Sequence, residues 1–439
     1  MSSRRYPAVA GKPRETVLII NPDVFLGKIQ NARSIEERAQ EIESLSKAIN
    51  LEHLQTISCP VSRIQPSHFL GKGKIEEIAQ IVEEREPSVV VFNYSLSPVQ
   101  QRNLERAWKC KVIDRTGLIL EIFGERAQTK EGRLQVELAA LEYQKSRLVR
   151  SWTHLERQRG GAGFMGGPGE TQIELDRRII GDKITKLKKE IASVKKMRDL
   201  GRKSRQRVPF PIVALVGYTN AGKSTLFNRL TESNVFAKDL LFATLDPTLR
   251  KIELPSGMPV ILSDTVGFIS DLPTHLIAAF RATLEEALNA DVIVHVIDSS
   301  RNDYEAQRQD VIDILESLGI DYEQDARIIE IYNKIDAVNS DMLADIKRHE
   351  KRADNVGAIS ALDGEGIDRF YAQIQDILSK QHRTVRFEID PSDGKAQSWL
   401  YEKGEVLERE DKGNISIFTV ILSPENIARF NSMFDYNPL

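Results

Sequence analysis

One stretch restricts the fold of this chain more than any other, the sequence PIVALVGYTNAGKSTLFNRL. An apolar run leads to Gly217, four residues separate that glycine from Gly222, and Lys223 and Ser224 follow at once. This order predicts a buried strand that passes through a glycine turn into the start of a helix. Because strands and helices alternate further along the chain, we expect a doubly wound α/β domain over residues 211–382.

The spacing Gly-x4-Gly-Lys-Ser is the full P-loop pattern, which binds nucleotide phosphates. The glycines let the backbone wrap the phosphates, whose charge then faces successive N–H groups and a helix N-terminus. Lys223 is expected to reach the β- and γ-phosphates, and the Ser224 hydroxyl to ligate Mg²⁺. The other loop residues expected to line the nucleotide are Tyr218, Thr219, Asn220, Ala221 and Thr225.

Two further segments are expected to complete the magnesium site. In PVILSDTVGF, Asp264 stands at a strand end and suits a water-mediated contact to Mg²⁺, while the Gly267 N–H can bond the γ-phosphate. In FATLDPT, Thr244 lies on a predicted loop and can ligate Mg²⁺ when the γ-phosphate orders that loop. By position alone, Thr231 and Thr248 compete with it. The neighbours predicted to line the nucleotide are Phe242, Ala243, Leu245, Asp246, Thr265 and Val266.

The segment RIIEIYNKID is expected to recognise the base. It places Asn333, Lys334 and Asp336 after another apolar strand. Asp336 can accept hydrogen bonds from guanine N1–H and its 2-amino group, whereas adenine offers neither donor and leaves the carboxylate unpaired. The Lys334 stem can lie along the base, with Ile335 next in the chain. The backbone placed to contact guanine O6 belongs to Ser360, Ala361 and Leu362. Four motifs in this order predict guanine specificity.

Two residues bear on the rate of hydrolysis. Phe268 follows Asp-Thr-Val-Gly, where Ras-like enzymes carry a glutamine that orients water, and an apolar ring cannot do so. We therefore expect slow intrinsic hydrolysis that a partner or a bound cation accelerates. Asn220 could offer a side-chain oxygen to K⁺ beside the phosphates, or it could simply stabilise the turn. The catalytic residues are predicted to be Lys223, Gly267 and Thr244.

A basic segment precedes this domain. Residues 126–207 hold 21 Lys/Arg and 10 Asp/Glu, in a chain whose net charge is −3. Apolar residues recur at heptad spacing over 134–155 and again over 180–194, which predicts an antiparallel coiled-coil hairpin over 126–200. The local charge favours contact with a polyanion, and a solvated helical face is the alternative.

The sequence GGAGFMGGPGETQ joins the two predicted helices. Its glycines exclude a regular helix, and a two-residue turn could have made the connection. The extra length therefore favours a tip, residues 160–169, whose backbone approaches folded RNA closely, with a loose loop as the alternative. The residues expected to contact RNA are Gly160, Gly161, Gly163, Phe164, Met165, Gly166 and Gly167.

The N-terminal segment, residues 15–125, alternates apolar runs with amphipathic stretches and predicts a small parallel α/β domain. Its Gly71–Lys74 stretch precedes a predicted helix and could hold the phosphates of ATP. It lacks P-loop spacing, so an ordinary strand-to-helix turn is the other interpretation. Residues 1–14 are expected to be a disordered lead-in rather than a signal peptide. Residues 201–210 are expected to form a basic linker.

The remaining features exclude several classes of protein. Residues 383–439 predict a small α+β domain without a recognisable chemical motif. The two cysteines, Cys59 and Cys110, favour neither a disulfide framework nor a zinc site. No apolar run approaches the length of a membrane-spanning helix. His295 lies in an apolar strand and is interpreted as a core residue. We expect a cytoplasmic protein, most simply a monomer.

The order of these parts resembles the HflX family of translation-factor-class GTPases. The resemblance rests on GGAGFMGGPGETQIELDRR followed by GYTNAGKS, FATLDPT, DTVGF, NKID and SAL, and it covers about residues 15–380. It implies binding to the large (50S) ribosomal subunit, GTP-dependent splitting or rescue of stalled ribosomes, and a hydrophobic residue in place of the catalytic glutamine, matched by Phe268. It also implies that Ser224 and Thr244 ligate Mg²⁺, and it associates the N-terminal domain with ATP binding and RNA unwinding.

Three functional hypotheses follow. The first is a GTP-loaded switch that docks on the large ribosomal subunit and splits or remodels the ribosome. The second is an ATP-driven RNA remodelling enzyme that works through residues 15–125. The third is a ribosome-assembly checkpoint in which GTP binding matters and turnover does not.

Overall fold

The structure is a computed structural model. It describes residues 15–24, 33–127, 129–158, 172–205, 210–232, 242, 248–270, 288–381, 383–413, 415–422 and 424–439. The predicted RNA-contacting tip, the predicted Mg²⁺ ligand Thr244 and its neighbours Ala243, Leu245 and Asp246 lie outside the described residues, as does the lead-in 1–14.

The N-terminal domain is a parallel sheet in the order β2-β1-β3-β4, with helices on both faces. Alternate residues of the central strand explain this layering, since Val17 and Ile19 pack on one face while Leu18 and Ile20 pack on the other. The predicted α/β domain is confirmed. Its elements are β1 (Thr16–Val24), α1 (Ile35–Ala48), β2 (Glu52–Val61), α2 (Lys72–Arg85), β3 (Val89–Phe92), α3 (Pro98–Trp108), β4 (Lys111–Asp114) and α4 (Arg115–Arg126).

Helix α4 is not among the elements that the sequence predicts. Its side chains are buried on most sides, so the sequence GLILEIFGER lacks the alternation of an amphipathic helix. The start signal is Asp114, whose side chain accepts a hydrogen bond from Gly117 N at 2.8 Å. An aspartate at this position caps a helix by satisfying a free N–H group.

The predicted hairpin is formed by α5 (Lys130–Gln158) and α6 (Gln172–Arg205). Leu134 of α5 and Leu187 of α6 are buried, and Lys188 Nζ lies 2.8 Å from Glu142 Oε1 across the pair. Helix α5 also buries Ala139 against the N-terminal domain, a second face that the heptad pattern does not reveal.

The predicted linker 201–210 is wrong at its start, because α6 continues to Arg205. The residues there are mostly lysine, arginine and serine, which a helix accommodates. The first proline in this stretch is Pro209, four residues after the helix ends.

The predicted GTPase domain (residues 211–382) contains a six-stranded sheet in the order β10-β9-β8-β5-β7-β6, and among these six strands only β6 is antiparallel to its neighbour. The carboxyl ends of the parallel strands therefore meet at one edge, where such sheets bind ligands. Its elements are β5 (Ile212–Gly217), α7 (Lys223–Thr231), β6 (Thr248–Glu253), β7 (Pro259–Asp264), β8 (Val292–Asp298), α8 (Tyr304–Ser317), β9 (Ile328–Asn333), α9 (Ser340–Glu350), β10 (Val356–Ala358) and α10 (Ile367–Gln381).

The C-terminal domain is the predicted α+β unit. Its three antiparallel strands lie in the order β11-β13-β12, and Phe387, Phe418 and Phe430 are fully buried between the sheet and the helices. Its elements are β11 (Arg383–Ile389), α11 (Gly394–Lys403), β12 (Glu405–Lys412), β13 (Ile415–Leu422) and α12 (Pro424–Phe434).

One hydrophobic core joins the N-terminal and GTPase domains. It runs from Val17 and Phe123 on one side to Val216 and Phe268 on the other. The Phe123 ring meets the Phe242 ring edge-on, with centroids 4.6 Å apart. The two domains are therefore packed against each other by a shared apolar interior. Within the described ranges, every helix is too short or too polar to cross a membrane.

Candidate functional site: a guanine-nucleotide site at the carboxyl edge of the GTPase sheet

The P-loop connects β5 to α7 at the centre of the sheet. Gly222 has φ +94°, and a Cβ built there would lie 2.2 Å from Asn333 Nδ2. Gly217 has φ +147°, and its Cβ would lie 2.2 Å from the Val296 carbonyl oxygen. Only glycine satisfies both the backbone conformation and the close approach at these positions. The two glycines of the motif are thus required by geometry as well as by phosphate access.

Lys223 is buried at the start of α7, and its ammonium group donates to the carbonyls of Gly217 at 3.0 Å and Tyr218 at 2.7 Å. Burial lowers the pKa of Lys223 to about 8; the Asp264 carboxylate opposes this shift and the Lys334 ammonium adds to it. The lysine therefore lies inside the loop that it is predicted to serve. The anionic phosphates of a nucleotide would favour its charged form.

The two predicted magnesium residues that the structure describes lie together. Ser224 Oγ donates to Asp264 Oδ2 at 2.7 Å, at the ends of the adjacent elements α7 and β7. The Thr265 hydroxyl donates to the Leu215 carbonyl at 2.6 Å and holds the end of β7 against β5. A hydroxyl and a carboxylate held side by side supply the hard oxygen groups that Mg²⁺ prefers, directly or through water. Mg²⁺ bound there would neutralise phosphate charge.

The segment Val266–Ser270 runs beside the P-loop. Phe268 N donates to the Gly217 carbonyl at 3.1 Å, and Thr219 N donates to the Phe268 carbonyl at 2.7 Å. A Cβ built on Gly267 would lie 2.8 Å from Thr219 Cα and 3.1 Å from Lys223 Nζ, so this glycine is in close contact with the loop. The Phe268 ring is 2% exposed and packs in the shared core, which leaves it unable to orient a water molecule.

The base-recognition motif connects three loops. Asn333 Nδ2 donates to the Ala221 carbonyl at 2.8 Å, and Asn333 Oδ1 accepts from Ala361 N at 3.0 Å. Lys334 has φ +65°, and its ammonium lies 2.8 Å from Asp298 Oδ2. The asparagine therefore fixes the P-loop relative to the Ser360–Leu362 loop.

Around this motif, the side chain of Asp336 is exposed at the same edge, as recognition of an incoming base requires, and Ile335 is buried beneath it. Ser360 is buried, whereas Leu362 is 68% exposed.

Two supporting residues escaped the sequence prediction. Asp298 ends β8 and pairs with Lys334, and its position at the end of an apolar strand was the available signal. Arg229 of α7 donates through Nε to the Ala361 carbonyl at 2.6 Å and also bonds the Leu362 carbonyl. No sequence motif marks Arg229, because its role depends on how α7 packs against a loop that lies far along the chain.

Asn220 adopts φ +63°, a left-handed conformation that asparagine accepts more readily than most residues. Its side chain is exposed at the turn. The backbone conformation accounts for asparagine as a turn residue, and the exposed side chain is also free to meet a cation.

The N-terminal Gly71–Lys74 stretch has a different geometry. Gly71 has φ −70°, and a Cβ built on it would meet nothing within 4 Å. Lys72 is 91% exposed and lies 3.8 Å from Glu76, while Lys74 pairs with Glu77 at 2.8 Å. These are the features of an ordinary strand-to-helix turn, without the inward lysine or left-handed glycine of the P-loop.

Comparison with known proteins agrees with this architecture. Four family models match in chain order: "GTP-binding GTPase N-terminal" at residues 36–124, "GTP-binding GTPase Middle Region" at 126–205, "50S ribosome-binding GTPase" at 212–334 and "HflX C-terminal domain" at 345–431. The C-terminal domain, which carries no chemical motif, is thus matched by a model from the same family.

Individual relatives cover nearly the whole chain. GTPase HflX of Magnetococcus marinus is 46% identical over 389 residues, 89% of each chain. GTPase HflX of Escherichia coli is 45% identical over 384 residues, 87% of this chain and 89% of the relative. Among solved structures, the GDP complex of SsGBP is 25% identical with a TM-score of 0.48, covering 83% of this chain and 98% of that chain. The chain therefore belongs to the HflX family and is a P-loop GTPase, an enzyme class that generally uses Mg²⁺ with its nucleotide.

Proposed function

We propose that this GTPase binds the large (50S) ribosomal subunit in its GTP form and uses the bound state to split or remodel the ribosome, as part of ribosome rescue. The observation that carries the proposal is a basic helical hairpin fixed to a GTPase. Besides Lys188, which pairs with Glu142 of α5, helix α6 exposes six basic side chains in the described residues: Arg177, Arg178, Lys183, Lys186, Lys189 and Lys196. Such side chains provide the phosphate contacts that hold a protein on rRNA.

The packing of the hairpin supports transmission of the nucleotide state. Helix α5 is anchored through Ala139 in the shared core, which also contains Phe268 from the segment beside the γ-phosphate position. If GTP binding displaces that segment, the displacement would therefore be transmitted through a packed interior rather than absorbed by a flexible joint. The name of the family model matched at residues 212–334, a 50S ribosome-binding GTPase, agrees with this target.

We assign the roles within the site by residue. Lys223 binds the β- and γ-phosphates, Gly267 N–H binds the γ-phosphate, and Asp336 selects guanine. Ser224 and Thr244 would hold Mg²⁺ directly, with Asp264 acting through water. Phe268 leaves intrinsic hydrolysis slow, so rRNA or a ribosomal protein accelerates it. The proposed site also includes the remaining loop residues Gly217–Gly222, Thr225, Phe242–Asp246, Thr265, Val266, Asn333–Ile335 and Ser360–Leu362.

A monovalent cation is a second accelerator that we propose. Asn220, exposed within the phosphate-binding loop, would offer its side-chain oxygen to K⁺, and the cation would supply the positive charge that an arginine finger supplies elsewhere. Hydrolysis measured in K⁺ and in Na⁺ tests this, and equal rates would remove the role from Asn220.

A light-scattering assay of ribosome dissociation tests the main proposal. The chain with a non-hydrolysable GTP analogue should dissociate ribosomes, and the chain with GDP should not. A variant carrying Lys186→Gln and Lys189→Gln should bind large subunits more weakly, with a log–log salt slope smaller by about 1.5. The tip variant Phe164→Ala should bind more weakly still. Lys72→Gln, at an exposed lysine of the N-terminal domain, is the matched control. Unchanged binding by both hairpin variants would contradict the proposal.

A further inference from the structure

A buried polar cluster lies where the N-terminal domain meets the nucleotide site. It consists of Glu41 and Arg115 from the N-terminal domain and Tyr218 and Ser270 from the GTPase domain, and we call it the interdomain latch. The side chains of Glu41 and Arg115 are 10% and 7% exposed, and Tyr218 and Ser270 are also buried. Each of the four residues has a hydrogen-bond partner within the latch, as buried polar groups in folded proteins nearly always have.

Glu41 is the centre of the latch. Its carboxylate accepts hydrogen bonds from the Tyr218 hydroxyl and, at 2.9 Å, from the Ser270 hydroxyl. The Tyr218 oxygen in turn accepts from Ser270 N at 2.8 Å. A single residue of the N-terminal domain thus binds two residues of the GTPase domain, and these two also bind each other.

Arg115 closes the cluster from the other side. One of its guanidinium nitrogens, Nη2, lies 2.7 Å from Glu41 Oε2, 2.8 Å from Ser270 Oγ and 3.1 Å from the Ser270 carbonyl oxygen. The other, Nη1, donates to Asn93 Oδ1 at 2.9 Å, at the end of β3. The arginine therefore ties the N-terminal sheet to the segment that follows Phe268.

The charges of the latch are complementary. Burial alone would raise the pKa of Glu41, but the Arg115 charge and the hydrogen bond from Tyr218 bring that pKa below its ordinary value. Burial and the negative charge of Glu41 raise the pKa of Tyr218, so its hydroxyl stays protonated and donates. The Arg33 guanidinium also lies over the Tyr218 ring, 5.2 Å from its centroid.

The two GTPase residues of the latch belong to the two sides of the phosphate site. Tyr218 is part of the P-loop, and its carbonyl accepts from Lys223 Nζ at 2.7 Å. Ser270 comes three residues after Gly267, whose N–H is assigned to the γ-phosphate. Between them, Phe268 forms an isolated parallel bridge to Tyr218. The latch therefore fixes the distance between the loop that wraps the phosphates and the peptide that recognises the third phosphate.

We propose that Glu41 is a positioning residue of the GTPase site, through which the N-terminal domain sets the preference for a nucleoside triphosphate over a diphosphate. A triphosphate contacts both the P-loop and Gly267, whereas a diphosphate contacts the P-loop alone. Holding the Gly267 segment in place in advance lowers the entropy cost of binding the γ-phosphate and leaves diphosphate binding nearly unchanged. The latch requires the GTPase site but no ribosomal target, so it can fail while the proposed ribosomal function stands.

The test measures the affinity of the full chain for GDP and for a non-hydrolysable GTP analogue, in Mg²⁺ and without ribosomes. Glu41→Gln keeps the size of the side chain and removes its charge. Glu43→Gln is the matched control, because Glu43 lies on the same helix and accepts a hydrogen bond from Thr56 inside the N-terminal domain. Tyr218→Phe removes the hydroxyl, keeps the ring, and serves as the second variant if Glu41→Gln does not fold.

We expect Glu41→Gln to weaken binding of the GTP analogue by about tenfold or more, because charge-assisted hydrogen bonds are lost. Binding of GDP should weaken by less than about threefold. Tyr218→Phe should lower the same affinity ratio, and the double variant should add little, because both changes break one network. Glu43→Gln should leave the ratio unchanged. The proposal would be overturned if variants with an unaltered Tm lost affinity equally for both nucleotides, or lost affinity for neither.

Discussion

Among the described residues, two glycine–lysine turns precede helices of α/β domains, and only one of the two is built to hold phosphate. Before α2, Gly71 has φ −70°, open space where a Cβ would lie, and Lys72 extends into solvent. Before α7, Gly222 has φ +94° against Asn333, and Lys223 is buried against the carbonyls of its own loop. A glycine–lysine pair thus forms a phosphate site only where the glycine is left-handed and the lysine points into its own loop.

The physical reason lies in what surrounds each turn. The α7 turn is at the centre of its sheet, between β8 and β7, where the ends of β9 and β7 supply Asn333 and Asp264. The α2 turn follows β2, which is the edge strand of its sheet. At the edge of the sheet, the lysines of this turn contact solvent and the acidic residues of their own helix.

The largest expected effect comes from removing each lysine. Lys223→Ala should lower GTP hydrolysis by about a thousandfold, because the ammonium binds the phosphates at which transition-state charge develops. Lys72→Ala together with Lys74→Ala should leave it unchanged within about twofold. Steady-state GTPase and ATPase assays on both variants make the comparison. ATP hydrolysis that survives Lys223→Ala and disappears in the N-terminal variant would contradict the stated difference between the two turns.

The second effect concerns the base. Asp336→Asn replaces one hydrogen-bond acceptor with a donor, so GTP affinity should fall by about a hundredfold. Xanthosine triphosphate carries a carbonyl in place of the 2-amino group and should bind the variant better than GTP does. Fluorescence titration with the two nucleotides measures this. Retained GTP affinity would mean that a site outside the GTPase domain binds guanine.

The third effect is on stability, from adding one methyl group at each turn. Gly222→Ala should lower the free energy of unfolding by about 2–3 kcal/mol, since φ +94° and the Asn333 side chain both oppose a Cβ. Gly71→Ala should change it by less than about 1 kcal/mol, because the site is open and the φ is ordinary. Urea unfolding of the two variants gives both values. Similar values would show that the two turns are alike.

The smallest effect concerns the buried histidine of the GTPase sheet. Burial lowers the pKa of His295 to about 3, with the Glu330 charge opposing the shift. The unfolded chain binds a proton near pH 6.5 and the folded chain does not, so stability should fall as pH drops from 6.5 towards 3, by about 1.4 kcal/mol per pH unit.

Urea unfolding at pH 6.5 and pH 5.5 measures this slope. His295→Gln should reduce this slope. A slope that His295→Gln does not alter would contradict the assignment of His295 as a neutral core residue, bonded at 2.6 Å to the Tyr322 hydroxyl.

Sequence alone predicted the parts whose signals are local. Gly222, Lys223 and Asp336 belong to short motifs in which a few consecutive residues form a single loop. The four domains are predicted from the periodicity of apolar residues along the chain. The buried helix α4 was missed because burial on most sides removes the polar stripe that identifies a helix.

The remaining features depend on packing between distant parts of the chain. Arg229 and Asp298 support the base site, and Glu41 and Arg115 reach the P-loop across a domain contact. None of the four belongs to a motif, since each acts through a partner that is remote in sequence. The second buried face of α5, at Ala139, has the same origin.

We propose that Phe268 limits the turnover of this GTPase and that the large ribosomal subunit accelerates it. Single-turnover GTP hydrolysis with and without an excess of large subunits tests it most directly. We expect the rate to increase by about tenfold or more with large subunits, and not at all with small subunits. Equal rates under all three conditions would contradict it.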